Sequence, residues 1–122
     1  MKLNKLDIKW LDQPEEHNYP AAESYLSLFL RKDEIVTLIH HLKYAEIVCF
    51  KAKDIFRASR LSLLGVSNSH VKKNIKKIKK GIALSPILLV RNKDRVIVAD
   101  GYHRLCAVYQ FNEDIDIPCK IV

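Results

Sequence analysis

One stretch restricts the fold more than any other. Val96-Ile97-Val98-Ala99 is an apolar run that reads as a buried strand. Leu105, Cys106, Ala107, Val108 and Tyr109 read as the packed turns of a helix. Between them lie Asp100, Gly101, Tyr102, His103 and Arg104, so a polar corner joins a strand to a helix. Gly101 allows a sharp turn or a close approach of the backbone to a ligand. Amides of a first helical turn have no partner within the helix, and the helix dipole adds partial positive charge there. Together these make an anion site of the kind that holds phosphates. Arg104 adds a forked, permanently charged donor. His103 can donate, accept or carry a proton near neutral pH. Asp100 could orient the histidine, hold a metal or cap the helix. The plainer reading makes Asp100 an N-cap and leaves His103 and Arg104 solvated.

Upstream of the corner, Val71, Ile75 and Ile78 fall on one face of a predicted helix over 71–80. Lys72, Lys73, Lys76, Lys77, Lys79 and Lys80 cover the remainder. They form either an anion-attracting face or a solvated one. No aromatic residue interleaves with them, so base stacking is not signalled. Gly81 sits where a helix usually ends. Pro86 precedes a strand over 87–90, and 91–95 is a polar hairpin loop leading into 96–99.

The corner Asp100-Gly101-Tyr102-His103-Arg104, followed by Leu105-Cys106-Ala107, resembles the signature corner of the ParB/sulfiredoxin-like superfamily. It is closest to the Asp-Gly-His-His-Arg form of the free-serine kinase branch. The order of lysine-rich helix, Gly81 and Leu84-Ser85-Pro86-Ile87-Leu88-Leu89-Val90 is also similar to that family's helix, glycine and Pro-Ile strand. The resemblance spans Val48 to Val122. It implies a single small α+β domain over 46–122, with a mixed sheet and flanking helices. Residues 1–45 would add an arm and helices packed on that domain.

The resemblance also implies roles. Gly101, Tyr102, His103 and Arg104 would grip the phosphates of a nucleotide (ATP, ADP or CTP), with Asp100 and His103 as catalytic candidates and Asp100 as the ligand of Mg2+. Asn68 occupies a place similar to an asparagine loop that lines the nucleotide pocket in ParB-like members, without the prolines and arginines of that motif. The kinase branch uses an acidic base in its N-terminal part. Asp54, which follows a predicted strand beside basic residues, is the candidate here, the alternative being a helix-capping aspartate. The sulfiredoxin branch places a cysteine directly before its His-Arg pair. Tyr102 stands there instead, and Cys106 lies two residues beyond Arg104, so cysteine-based repair chemistry is not expected.

The 122 residues make one domain by length. Lysine and arginine number 21 against 14 aspartate and glutamate, a formal charge of +7 that favours anionic partners. No apolar run approaches the roughly 20 residues of a membrane helix, so no membrane partner is expected. Met1 to Asp7 start basic but carry no apolar signal core, which predicts a cytoplasmic protein. Cys49, Cys106 and Cys119 are widely spaced in apolar sequence and fit neither a disulfide framework nor a zinc pattern.

In the first third, Leu6, Ile8 and Trp10 alternate with polar residues as an edge strand or extended arm. Helices are predicted over 21–30, with Pro20 in the first turn, and over 34–43, capped by Asp33. Ile47 to Phe50 reads as a buried strand, and the chain ends in a strand through Pro118. The functional expectation is nucleotide-dependent phosphotransfer to a small hydroxyl substrate. The alternative is a module without chemistry, using the 71–80 helix for DNA, RNA or a protein partner.

Overall fold

A computed structural model describes residues 7–122. Leu6 and the basic start lie outside these residues. The elements run α1 (Asn18–Leu26), α2 (Lys32–Tyr44), β1 (Val48–Lys51), α3 (Ala52–Ser59), α4 (Ser69–Lys79), β2 (Ile87–Arg91), β3 (Val96–Asp100), α5 (Tyr102–Phe111) and β4 (Asp116–Ile121). The protein is a small α+β domain with a four-stranded mixed sheet of order β1-β4-β2-β3. The last strand of the chain enters the middle of the sheet, antiparallel to β1 and parallel to β2. Pro118 is tolerated there because it faces Cys49 and precedes the ladder to β2, which begins at Cys119.

Both faces of the sheet are covered. Ile87, Leu89, Val98, Ile117 and Cys119 pack with Ile55, Val71, Ile78, Leu105 and Val108 from α3, α4 and α5. Leu88, Val90, Ile97 and Ala99 point the other way, against Tyr19, Ala22, Leu26, Ile35, Ile39 and Leu42 of α1 and α2. This is why β2 is continuously apolar rather than alternating: successive side chains serve different layers. Residues 18–44 therefore build half of the core.

Local chemistry sets the helix ends. Asn68 Oδ1 accepts from the amides of His70 (2.9 Å) and Val71 (3.1 Å), capping α4. At its other end Gly81 takes φ 72°, the Gly81 amide donates to Ile78 O (3.1 Å), and the Ile82 amide donates to Lys77 O (3.0 Å). That double bond pattern closes the helix on a glycine. α1 starts at Asn18, earlier than expected, with Pro20 in its first turn, and stops at Leu26. In α2 the Arg31 amide donates to Glu34 Oε1 (3.1 Å), so the helix starts before Asp33, which lies within its first turn.

One burial expectation changes. β1 is an exposed edge strand rather than a buried one: it pairs with β4 alone, and none of its side chains joins either core cluster. Lys120, in the central strand, is 2% exposed. Its ammonium donates to Lys43 O (2.8 Å) near the C-terminus of α2, where free carbonyls and the dipole favour a cation. Trp10 forms a parallel bridge with Leu84, and Ile8 and Trp10 pack on the core, so the described part of the arm lies along the domain. Among the described residues, no helix is long and apolar enough to cross a membrane.

Candidate functional site

β3 ends at Asp100, Gly101 takes φ 111°, and α5 begins at Tyr102. The glycine is required twice over. Its φ lies in the left-handed region, and a Cβ there would stand 2.8 Å from Ile87 Cγ1 and 2.9 Å from Arg104 Nη2. One helical turn on, Arg104 Nη2 donates to Asp100 Oδ2 (3.0 Å) and to Pro86 O (3.3 Å). The two side chains are each 16% exposed. Arg104 Nε is buried without a hydrogen-bond partner. A buried charged donor with no acceptor is costly.

The corner opens on a cavity of about 270 Å3. One wall is Asp100 to Arg104. The opposite wall is one stripe of α4, formed by His70, Lys73, Asn74 and Lys77. These four stand at i, i+3, i+4 and i+7, the spacing of a single helical face. Ser85 closes the floor. Its hydroxyl donates to Asn18 Oδ1, and the Glu15 amide donates to both Asn18 Oδ1 (2.9 Å) and Ser85 Oγ (3.1 Å). The arm before α1 is thus tied to the same floor.

His70 and His103 are each the second residue of their helix, and their rings lie 4.7 Å apart between centroids. The first turns of α4 and α5 therefore meet beside the cavity. Burial pushes the His103 imidazole below its ordinary pKa, and the like charge of His70 pushes it in the same direction. His103 is therefore neutral at neutral pH and able to accept a proton.

None of the protein families, characterised proteins or solved structures compared with the chain matches it. The local chemistry must carry the functional reading.

The structure brings Gly101, Tyr102, His103, Arg104 and Asp100 together with Lys73 and Lys77. It leaves other candidates elsewhere. The side chain of Asn68 is engaged as the cap of α4 and does not line the cavity. Asp54 pairs with Arg57 (3.2 Å) and lines a separate apolar cavity with Phe50 and Val96. Val96 begins β3 and Asp100 ends it, so the two sites lie toward opposite ends of that strand. Lys72, Lys76, Lys79 and Lys80 do not line the cavity. Cys106 is fully buried, and burial pushes its thiol pKa up, away from nucleophilic use.

A phosphate fits this donor set: free first-turn amides, an arginine with an orphaned Nε, two lysines and a histidine. A magnesium ion held by the protein alone does not. Among the described residues, Asp100 is the one carboxylate on the cavity, and its Oδ2 is engaged by Arg104. Among the described residues, no three His, Cys, Asp or Glu side chains gather to hold a metal. The sequence pattern missed the cavity-facing role of His70, Lys73 and Lys77. Helical phase carried that signal: measured from Val71 and Ile78, Lys73 and Lys77 flank the buried stripe on one side, and Lys72, Lys76 and Lys79 flank it on the other.

Proposed function

We propose that the protein is a ParB-like, phosphate-recognising domain that binds a nucleotide or related phosphorylated small molecule at the α5 corner. The observation that carries this reading is the convergence of Arg104, with its unpartnered Nε, and the Lys73–Lys77 stripe on one cavity. The resemblance of the Asp100–Arg104 corner to the superfamily signature supports the same reading.

In the catalytic form of this reading the domain runs phosphotransfer to a small hydroxyl substrate, and positioning and electrostatics do most of the work. The nucleotide would supply the phosphoryl group. Lys73, Lys77 and Arg104 would offset its charge, and Asp100 would hold the guanidinium in place. His103, neutral at neutral pH, would take the acceptor's hydroxyl proton. Asp54 has no part in it, being on another cavity.

The test is thermal stability with ATP, ADP, CTP and pyrophosphate, with and without magnesium. Ligand at 100 times its dissociation constant stabilises by about 2.7 kcal/mol. The shift is expected in the native chain, absent in Arg104→Ala and reduced to about half in Lys73→Gln/Lys77→Gln. No shift with any of these ligands overturns the reading. Phosphotransfer that survives His103→Ala overturns its catalytic form.

A second reading rests on the lysines left outside the cavity. Lys72, Lys76, Lys79 and Lys80 form an exposed stripe suited to a nucleic-acid backbone without chemistry. Duplex affinity that falls with salt, and loses slope in Lys72→Gln/Lys76→Gln, would favour it.

A further inference from the structure

The corner has a second side. A separate cavity of about 380 Å3 is lined by Ala21, Tyr25, Leu61, Val98, Ala99 and the same Asp100–His103 segment. Asp100, Gly101, Tyr102 and His103 thus line both the cationic cavity and this one. The two differ in chemistry. Beyond the shared segment, the first presents His70, Lys73 and Lys77, whereas the second presents no charged side chain.

The helix α1 supplies an independent observation. Its buried stripe, Ala22 and Leu26, belongs to the core. Ala21 and Tyr25 lie on another line of α1 at i and i+4, Phe29 follows in the turn after the helix, and all three are exposed. Tyr25 and Phe29 are 37% and 46% exposed and pack edge to face, with centroids 5.3 Å apart. This apolar line is not used by the core, and Tyr25 stands on the wall of the second cavity. Across from it, the Tyr102 hydroxyl donates to Ser62 O, fixing that ring beside Leu61.

We infer that the second cavity holds the organic group of the hydroxyl substrate and of its phosphate ester, and that this group is uncharged and apolar or aromatic, as in an alcohol or phenol. The inference rests on the phosphate reading of the corner. It assigns Tyr25, Leu61 and Tyr102 to recognition of that group and excludes a zwitterionic one. A carboxylate would lose its hydration against Ala21, Leu61 and Ala99 and face the Asp100 carboxylate, and the ammonium of a zwitterion would find only Asp100, whose Oδ2 is already held by Arg104. An aromatic ring would bury against Tyr25 and Tyr102 in offset or edge contact.

The probes are inorganic phosphate, phenyl phosphate and O-phosphoserine, titrated calorimetrically into the native chain, Tyr25→Ala and Tyr25→Phe. Covering ~60 Å2 of ring at about 25 cal/mol per Å2 corresponds to roughly tenfold in affinity. Phenyl phosphate is expected to bind about tenfold more tightly than phosphate in the native chain and in Tyr25→Phe. In Tyr25→Ala that advantage should vanish while phosphate affinity stays unchanged. Tyr25 lies outside the core, so circular dichroism should show both variants folded. Equal affinity for phosphate and phenyl phosphate, or tighter binding of phosphoserine, overturns this inference and leaves the corner standing. No binding of any of the three overturns both.

Discussion

Arg104 reaches back across the left-handed Gly101 to place Nη2 3.0 Å from Asp100 Oδ2, so the last residue of β3 orients the arginine of the first turn of α5. The pair is largely shielded, and Nη2 also donates to Pro86 O, ahead of β2. Asp100 is thereby a positioning residue for the guanidinium. Asp100→Asn leaves Arg104 without its counter-charge in a partly buried place. The variant should lose about 1–2 kcal/mol, between the values for exposed and fully buried pairs. Urea unfolding measures this, and an unchanged midpoint would remove the pair from the stability of the corner.

Gly101→Ala should be among the most damaging small substitutions. The φ of 111° and the 2.8 Å approach to Ile87 Cγ1 act together, and Ile87 is fully buried. A loss of about 2–4 kcal/mol is expected. Gly65→Ala is the control: a Cβ there meets nothing within 4 Å, and no positive φ is involved. It should shift the urea midpoint little.

The two lysine stripes of α4 should separate by function. Lys73→Gln/Lys77→Gln is expected to weaken pyrophosphate binding by about tenfold or more, because both charges face the cavity. Lys72→Gln/Lys76→Gln should leave it nearly unchanged apart from a screened long-range term. Isothermal titration at two salt concentrations checks both; equal losses would mean that only net charge matters.

Anion binding at the corner should tighten as pH falls. His103 has its folded pKa lowered by burial and by His70, and an anion beside it would favour the charged imidazole. Sulfate keeps its charge across this range and is the suitable probe. Its affinity should rise below pH 6.5, the ordinary histidine value, and the slope should flatten in His103→Gln. Without ligand the sign reverses. Below 6.5 the unfolded chain binds the proton first, so the stability His103 contributes is present above that value and lost as pH falls through the folded pKa.

Lys120 gives the matching test at high pH. Burial lowers its folded pKa from 10.5, so just below that value the unfolded chain holds the proton longer. Stability should therefore rise with pH in that window through this group. Lys120→Met keeps the apolar stem, removes the donor to Lys43 O and should abolish this contribution. The difference in urea midpoint between the two chains, followed from pH 8 to 10.5, isolates it from the tyrosines.

Much of the corner was legible because its determinants are local. The apolar run before Asp100, the glycine after it and the apolar turns after Arg104 specify strand, left-handed turn and helix within fourteen residues, Val96 to Tyr109. Asn68 and Gly81 fix the ends of α4 by side-chain capping and a left-handed closure, which also need no distant partner. The α+β class with a mixed sheet, which the resemblance implied, is the one the structure has. Other features depend on contacts between distant parts of the chain. Burial of Ile47–Phe50 was expected from an apolar run, yet β1 is an edge, because the sheet order is set by how β4 enters. An apolar run reports burial potential; only the neighbours decide whether the strand has one partner or two.

The sequence by itself determined the corner, the ends of α4, the hairpin β2–β3 and the positive charge, since each follows from backbone preference, side-chain period or composition. The tertiary structure alone decided that α1 and α2 complete the core, that Lys120 is buried under α2, that Lys73 and Lys77 face Arg104 across one cavity, and that Asp54 lies on another. Those relations depend on long-range packing, where the rotation of a whole helix about its axis selects which of several equally spaced lysines meets the site. That rotation is fixed by the fit of Val71 and Ile78 into the core.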